Sequence, residues 1–332
     1  MPTLTYASAG FNTAKYPRCT SENTVIVYWS NLVWAAITAG KAGASEINQH
    51  KEYSRHERLM RLHMIKMNWK ESAKGEFQQT DLYKALDGSE KTAISYFMGL
   101  TMAKYLSGHC LTVPWVLHYD SYLKSHGQKL KGTRPDLIGM NPQKEWFVLE
   151  AKGRSNAIES GLMESALEQA CRAQPINIKN YVPIACISYT KGAGILHATW
   201  EDPEGESNDE GYTIDPLDFL QHYYEPLRSL IDSNSQGAEV ETHGNREYIT
   251  RYFPDLDVRI GLLNEIDSYF LEQSGWYAVL TERLPKLRRI LGQEPVENGR
   301  DRFIGPDGVL IWLGTTWSAE NMLKEPSQRS FS

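Results

Sequence analysis

Arg134-Pro135-Asp136-Leu137-Ile138-Gly139, followed closely by Trp146-Phe147-Val148-Leu149-Glu150-Ala151-Lys152-Gly153, decides how the rest of the chain is read. The second segment is rich in aromatic and β-branched residues, which favour a strand. Side chains alternate along a strand, so Trp146, Val148, Glu150 and Lys152 share one face and Phe147, Leu149 and Ala151 the other. Both faces stay apolar as far as Glu150, the pattern of a central strand covered on both sides and ending in charge. Asn141-Pro142-Gln143-Lys144 has turn chemistry. A three-residue loop, Pro142 to Lys144, sets residue 141 against 145 and therefore Asp136 against Glu150. Directly opposed residues lie on one face with Cβ atoms about 4.5–5.5 Å apart, and a slip of one residue would turn one acid away. Two carboxylates held that close repel unless a cation joins them. A hard divalent ion with oxygen ligands, Mg²⁺ or Mn²⁺, answers that requirement.

Pro135-Asp136, with Glu150-Ala151-Lys152 closing a hydrophobic strand, resembles the PD-(D/E)XK nuclease superfamily of restriction-endonuclease-like enzymes. Glu150-Ala151-Lys152 is the only Asp/Glu-x-Lys tripeptide in the chain, and the Pro-Asp pairs at 254–255 and 306–307 precede no such tripeptide. The resemblance implies an α/β fold whose restriction-endonuclease-like core is a mixed central sheet flanked by helices. It also implies metal held by Asp136 and Glu150, with the Ala151 carbonyl as a further oxygen, and Lys152 acting on the water or the phosphate.

The flanking chain supports the same core. Asp87-Gly88-Ser89 predicts a turn into a helix running from Glu90 to about Leu106. Glu90 lies on the line of Ile94, Phe97 and Thr101, and in the superfamily a helix ahead of the sheet often adds an acid, so Glu90 is a candidate site residue. The competing role for Glu90 is electrostatic support of the helix N-terminus. A strand is expected over Thr112–Tyr122. Ser155-Asn156 then caps an expected helix over Ala157–Arg172, stopped by Pro175. Gln169 shares its face with Ile158, Leu162, Ser165 and Ala166, where a buried amide needs partners. A glutamine so placed supports the site in some related nucleases, with Gln174 a weaker candidate. Strands are expected over Tyr181–Tyr189 and Gly194–Trp200, so the order is helix, three strands, helix, two strands. The resemblance covers about residues 86–202, with 1–85 and 203–332 as mostly helical N- and C-terminal additions.

The 332 residues carry a net charge of −6, with 41% hydrophobic and 23% charged residues, ordinary for a globular protein. No apolar run approaches the roughly 20 residues of a membrane span. The N-terminal residues lack a basic segment before an apolar run, and the four cysteines form no zinc-like pair. A cytoplasmic protein with reduced thiols is expected. The net charge does not exclude a polyanion, because local charge decides phosphate contact. Five cations between Arg55 and Lys70 face only Glu57, and Arg283, Lys286, Arg288 and Arg289 form another cluster; solvated faces are the expectation for both. Lys124, Lys129, Lys131 and Arg134 stand without an acid beside the proposed site, and with Arg154 they are the candidate nucleic-acid contacts. His50, His56 and His63 lack the i, i+4 spacing of a metal pair. The acidic run from Glu201 to Glu210 lacks the calcium-loop pattern.

The function expected from this is a Mg²⁺- or Mn²⁺-dependent nuclease hydrolysing phosphodiester bonds, most readily a DNA endonuclease of a restriction or phage-defence system, with RNA not excluded. A homodimer or a partner subunit of a defence complex would suit paired cuts. The alternative is an inactive nucleic-acid-binding or assembly module on the same fold, in which Glu150 and Lys152 form an ordinary strand-end ion pair. A third is a partner-binding surface on the outlying helices.

Overall fold

A computed structural model describes residues 1–39, 52–130, 132–172, 181–203, 214–231, 237–271, 280–292 and 297–318. The chain opens with β1 (Thr3–Ala9), β2 (Asn23–Ile26), α1 (Trp29–Thr38), α2 (Glu52–Asn68), β3 (Trp69–Glu71), β4 (Phe77–Gln79) and α3 (Asp81–Ala85). The middle holds α4 (Gly88–Leu111), β5 (Trp115–His118), α5 (Tyr119–Ser125), β6 (Leu137–Met140), β7 (Trp146–Gly153), α6 (Leu162–Ala170), β8 (Tyr181–Lys191) and β9 (Ile195–Glu201). It closes with α7 (Pro216–Ile231), β10 (Ala238–His243), β11 (Arg246–Phe253), β12 (Val258–Leu263), α8 (Asn264–Leu271), α9 (Leu280–Gly292), β13 (Arg302–Ile304) and β14 (Val309–Leu313). Between Gly88 and Glu201 the order is helix, strand, short helix, two strands, helix and two strands, so the expected order is interrupted by α5.

The first sheet is mixed and runs β2-β1-β9-β8-β7-β6-β5, with the β3–β4 hairpin joined to β9. β7 is an inner strand, antiparallel to β6, parallel to β8, and buried from Trp146 to Ala151. The parallel step needs a crossover, and the chain between β7 and β8 carries α6.

Helix α4 crosses the end of β7 at very short range. A Cβ on Gly153 would stand 1.6 Å from the Ser95 carbonyl oxygen, and one on Gly99 would stand 2.8 Å from the Gly153 nitrogen. The glycine after Lys152 is therefore required by backbone contact with the helix, which brings α4 down on the charged end of the strand.

Both additions carry strands beside the expected helices. Residues 1–85 supply four strands to the first sheet, and in β1 Leu4, Tyr6 and Ser8 alternate inward while the strand lies parallel to β9, with Ala7 opposite Thr199. The C-terminal region builds a second, antiparallel sheet, β10-β11-β12-β14-β13. Within the region expected to be mostly helical, Val258–Leu263 is a strand paired on both sides, with β11 and β14, and α8 begins only at Asn264. β13 and β14 form a hairpin around Gly305–Gly308. The strand expected over Thr112–Tyr122 stops at His118; the Asp136 carbonyl takes the Tyr119 N–H at 2.8 Å, and α5 starts there.

All ten residues of α1 are buried, as befits a helix that is apolar nearly all round. It packs on α2 and α4 on one side and on β13 and β14 on the other, tying the two sheets together. Arg58 and Arg61 of the expected basic face are buried and donate to carbonyls in and just past its last turn, Arg58 to Ile37 and Arg61 to Ala36 and Ala39. Cations suit a helix C-terminus, so this run stabilises a helix end and presents no broad basic surface. Cys19, Cys110 and Cys186 are buried free thiols, and Cys171 is exposed. No helix among the described residues is long and apolar enough to cross a membrane.

Candidate metal centre

The hairpin of β6 and β7 sets the site's register. Asn141 accepts the Gln143 and Glu145 N–H groups on Oδ1 at 3.0 and 2.9 Å, and Lys144 adopts φ = 68°. A three-residue loop closing on a left-handed residue is a common hairpin solution. Met140 then faces Trp146 and Leu137 faces Leu149. The next position outward pairs Asp136 with Glu150, the register expected from the loop. The regular ladder ends there: the Asp136 N–H goes to the Leu149 carbonyl, and the Ala151 N–H goes to Asp136 Oδ2 at 3.0 Å. Peptide groups on one strand alternate sides, so Ala151 directs its carbonyl to the same side as Asp136.

Glu150 is 2% exposed. Its Oε1 takes the Lys152 ammonium, while the equally buried Oε2 finds no donor among the described residues when both acids are ionised. Such an orphaned oxygen costs about 1–3 kcal/mol, more when charged. Asp136 and Glu150 act on each other electrostatically, and the buried pair favours a proton on Glu150. Burial, and then the Asp136 charge, push Glu150 up to about 8; burial also raises Asp136, against the pull of the Ala151 N–H and Lys152. A buried carboxyl pair facing an orphaned oxygen, with a backbone carbonyl alongside, suits a hard divalent cation.

A stability signature follows. The folded protein prefers Glu150 protonated, so that contribution is whole below the ordinary carboxyl value of 4.5 and is lost as pH rises through about 8. In EDTA, thermal or urea unfolding should show the wild type losing on the order of 5 kcal/mol across that window. Glu150→Gln, which carries no charge at any pH, should lack that loss, so its slope differs from that of the wild type over the window. Equal slopes for the two proteins would contradict the proton-sharing pair.

Lys152 Nζ also donates to Gln169 Oε1 at 2.7 Å, so Gln169 of α6 is brought to the site as expected. The helix carrying it starts at Leu162 rather than Ala157, after Gly161 at φ = 80°, and Ser155-Asn156 do not cap it. Gln174 lies outside the described residues. Glu90 is not brought to the acids: its carboxylate accepts the Asp87 N–H at 3.2 Å and completes a capping box at the exposed start of α4. Here the helix-terminus role wins, because the capping geometry Asp87-x-x-Glu90 is local.

Among the basic candidates, Arg134 clasps Asp120 with two bonds of 2.7 and 2.8 Å. That fork braces the turn before Pro135-Asp136, so the guanidinium expected to contact nucleic acid is engaged by Asp120. Lys124 and Lys129 are exposed, Arg154 is half-buried with its guanidinium 3.3 Å from the Gly153 carbonyl, and Lys131 lies outside the described residues. Sequence reasoning missed Tyr96. Its phenol reaches the field of Asp136 and Glu150, is pushed up to about 12 by burial and then Asp136, and sits 3.3 Å from His118 Nε2. It stands one residue past Ser95, the helix position that touches Gly153, a proximity that no helical stripe reveals.

Comparison of the chain with protein-family models, with curated proteins and with solved structures finds no match in any of the three.

Proposed function

We propose that the protein is a metal-dependent nuclease acting on DNA through the Asp136–Glu150–Lys152 centre. The observation that carries the proposal is the buried carboxyl pair with an orphaned oxygen, built on the end of one strand beside a lysine that is itself held at two points. Asp136 and Glu150 would hold Mg²⁺ or Mn²⁺, with the Ala151 carbonyl directed to the same side. When bound, the ion lowers the pKa of a coordinated water and offsets charge on the phosphate oxygens.

The chain's own groups do the positioning. Ala151 N–H fixes Asp136, and the Arg134–Asp120 clasp fixes the turn that delivers it. Glu150 and Gln169 use two of the three ammonium hydrogens of Lys152. The third is left to orient a water or to meet a phosphoryl oxygen as negative charge builds there. Apart from α5, the order of elements around β7 is the one the PD-(D/E)XK resemblance implies, which supports the same proposal. A defence or restriction role, in which foreign DNA is the substrate, is the biological setting that this chemistry suits.

Incubating the protein with plasmid, linear and single-stranded DNA and with RNA, in Mg²⁺, Mn²⁺ or EDTA, tests it. Metal-dependent cleavage that EDTA stops and Asp136→Ala abolishes is expected. Equal cleavage by Asp136→Ala, or none by wild type on any substrate, counts against it.

A further inference from the structure

Across the first sheet's edge from the carboxyl pair, His126, at the end of α5, meets Asp218 and His222, one turn apart on α7. One ligand-type atom from each of the three lies within 4.8 Å of the other two, the only such His/Cys/Asp/Glu group among the described residues. We propose that these three side chains bind a borderline divalent transition-metal ion, Zn²⁺ being the best fit, at a site separate from the hard-metal centre.

The tautomers carry the argument. His126 Nδ1 lies 2.8 Å from the Tyr122 carbonyl oxygen, which can only accept, so Nδ1 holds the proton. The lone pair of Nε2 then faces Asp218 Oδ2 at 2.9 Å, acceptor against acceptor. That contact requires a positive partner between or on the two groups. His222 Nδ1 lies 2.9 Å from the Asp218 carbonyl oxygen and 3.5 Å from Asp218 Oδ1, so this ring too meets the carboxylate. The two imidazoles stand 5.2 Å apart centre to centre, so a single cation shared by both avoids charging two neighbouring rings. An imidazole whose second nitrogen donates to a backbone carbonyl is the usual support of a metal ligand, and His126 has it.

Asp218 is oriented in turn, with the Tyr122 hydroxyl donating to Oδ2 at 2.9 Å. Bonds of about 2.0–2.2 Å at tetrahedral angles place ligand atoms roughly 3.4 Å apart; His126 and Asp218 at 2.9 Å would open to reach it, and the remaining pairs, within 4.8 Å, would close toward it. Two imidazoles and one carboxylate favour Zn²⁺ and its neighbours over Mg²⁺ or Ca²⁺. All three side chains are partly exposed, His222 least at 16%, so water has access to complete the coordination. The ion would join α5 to α7, and α5 also carries the Asp120 that braces Arg134.

The test uses the full chain, stripped with chelator and dialysed into excess Mg²⁺ to satisfy the hard-metal centre, then titrated calorimetrically with Zn²⁺. One Zn²⁺ per chain is expected, bound at least about 100-fold more weakly by the His126→Gln/His222→Gln double variant and unchanged in Asp136→Asn. Unchanged binding in the double variant, or no binding by wild type, overturns the proposal; the latter leaves His126 and Asp218 as an ion pair. A second measurement needs no variant: Zn²⁺ should protect His126 and His222 of the wild type, but not exposed His56, from acylation by diethyl pyrocarbonate. Equal labelling with and without Zn²⁺ also overturns it.

Discussion

Lys152→Ala is expected to fold and to bind Mn²⁺, yet to cleave DNA at least about 100-fold more slowly than wild type, the scale of losing one preorganised charge-stabilising donor. The ammonium is anchored by Glu150 and Gln169 rather than by packing, so its removal leaves the β6–β7 hairpin and the α4 crossing at Gly153 intact. Glu150 loses its one donor, which makes the apo-protein more sensitive to alkaline pH, and bound metal offsets that loss. Gln169→Ala should act in the same direction but more weakly, near ten-fold, because Glu150 still holds the ammonium. Cleavage at the wild-type rate by purified Lys152→Ala would discard the mechanism.

Asp307→Ala is expected to cost about 3–5 kcal/mol of stability, the usual penalty for leaving a buried charge without its partner. Asp307 is fully buried in the β13–β14 turn and accepts the Trp34 indole N–H at 2.9 Å and the Tyr223 hydroxyl at 2.5 Å. It also supplies the negative field that opposes desolvation of Lys104, whose ammonium burial pulls down to about 7. Lys104 in turn donates to the Pro114 carbonyl and to Tyr223 Oη at 3.1 Å, and stands 4.6 Å over the Trp34 ring. Residues from α1, α4, α7 and the C-terminal hairpin thus meet at one buried polar knot between the sheets. Urea unfolding measures the cost. Asp307→Asn, which keeps an acceptor for Trp34 and Tyr223, should lose less. A loss under about 1 kcal/mol in the alanine variant would show that the knot is not what joins the sheets.

The hairpin was legible in the sequence because everything that sets it is local. Asn141 through Lys144 dictates the loop, the loop dictates the register, and the register places Asp136 beside Glu150. Gln169 was legible through helical spacing even though the helix begins five residues late, since spacing survives an error in the N-terminus. What failed depends on partners distant in sequence. β1 finds its place only by lying parallel to β9, nearly two hundred residues on. Val258–Leu263 has the length of a strand, yet without a breaker before Gln273 its apolar run passes equally well for helix until β11 and β14 are there to pair with it. Arg134 looked free because Asp120, fourteen residues earlier, sits where a strand was expected and a helix forms. Asp218 and His222 do carry a readable i, i+4 signal, but His126 is ninety-two residues away and no local pattern joins them.

The carboxyl pair can be weighed directly by calorimetric titration of the chain with Mn²⁺ at neutral pH in buffers of different ionisation enthalpy. The expected result is one Mn²⁺ bound with release of about one proton, that shared by Asp136 and Glu150, and loss of both binding and proton release in Asp136→Asn. No Mn²⁺ binding by the wild type, or binding that Asp136→Asn leaves untouched, would contradict a metal centre at the end of β7.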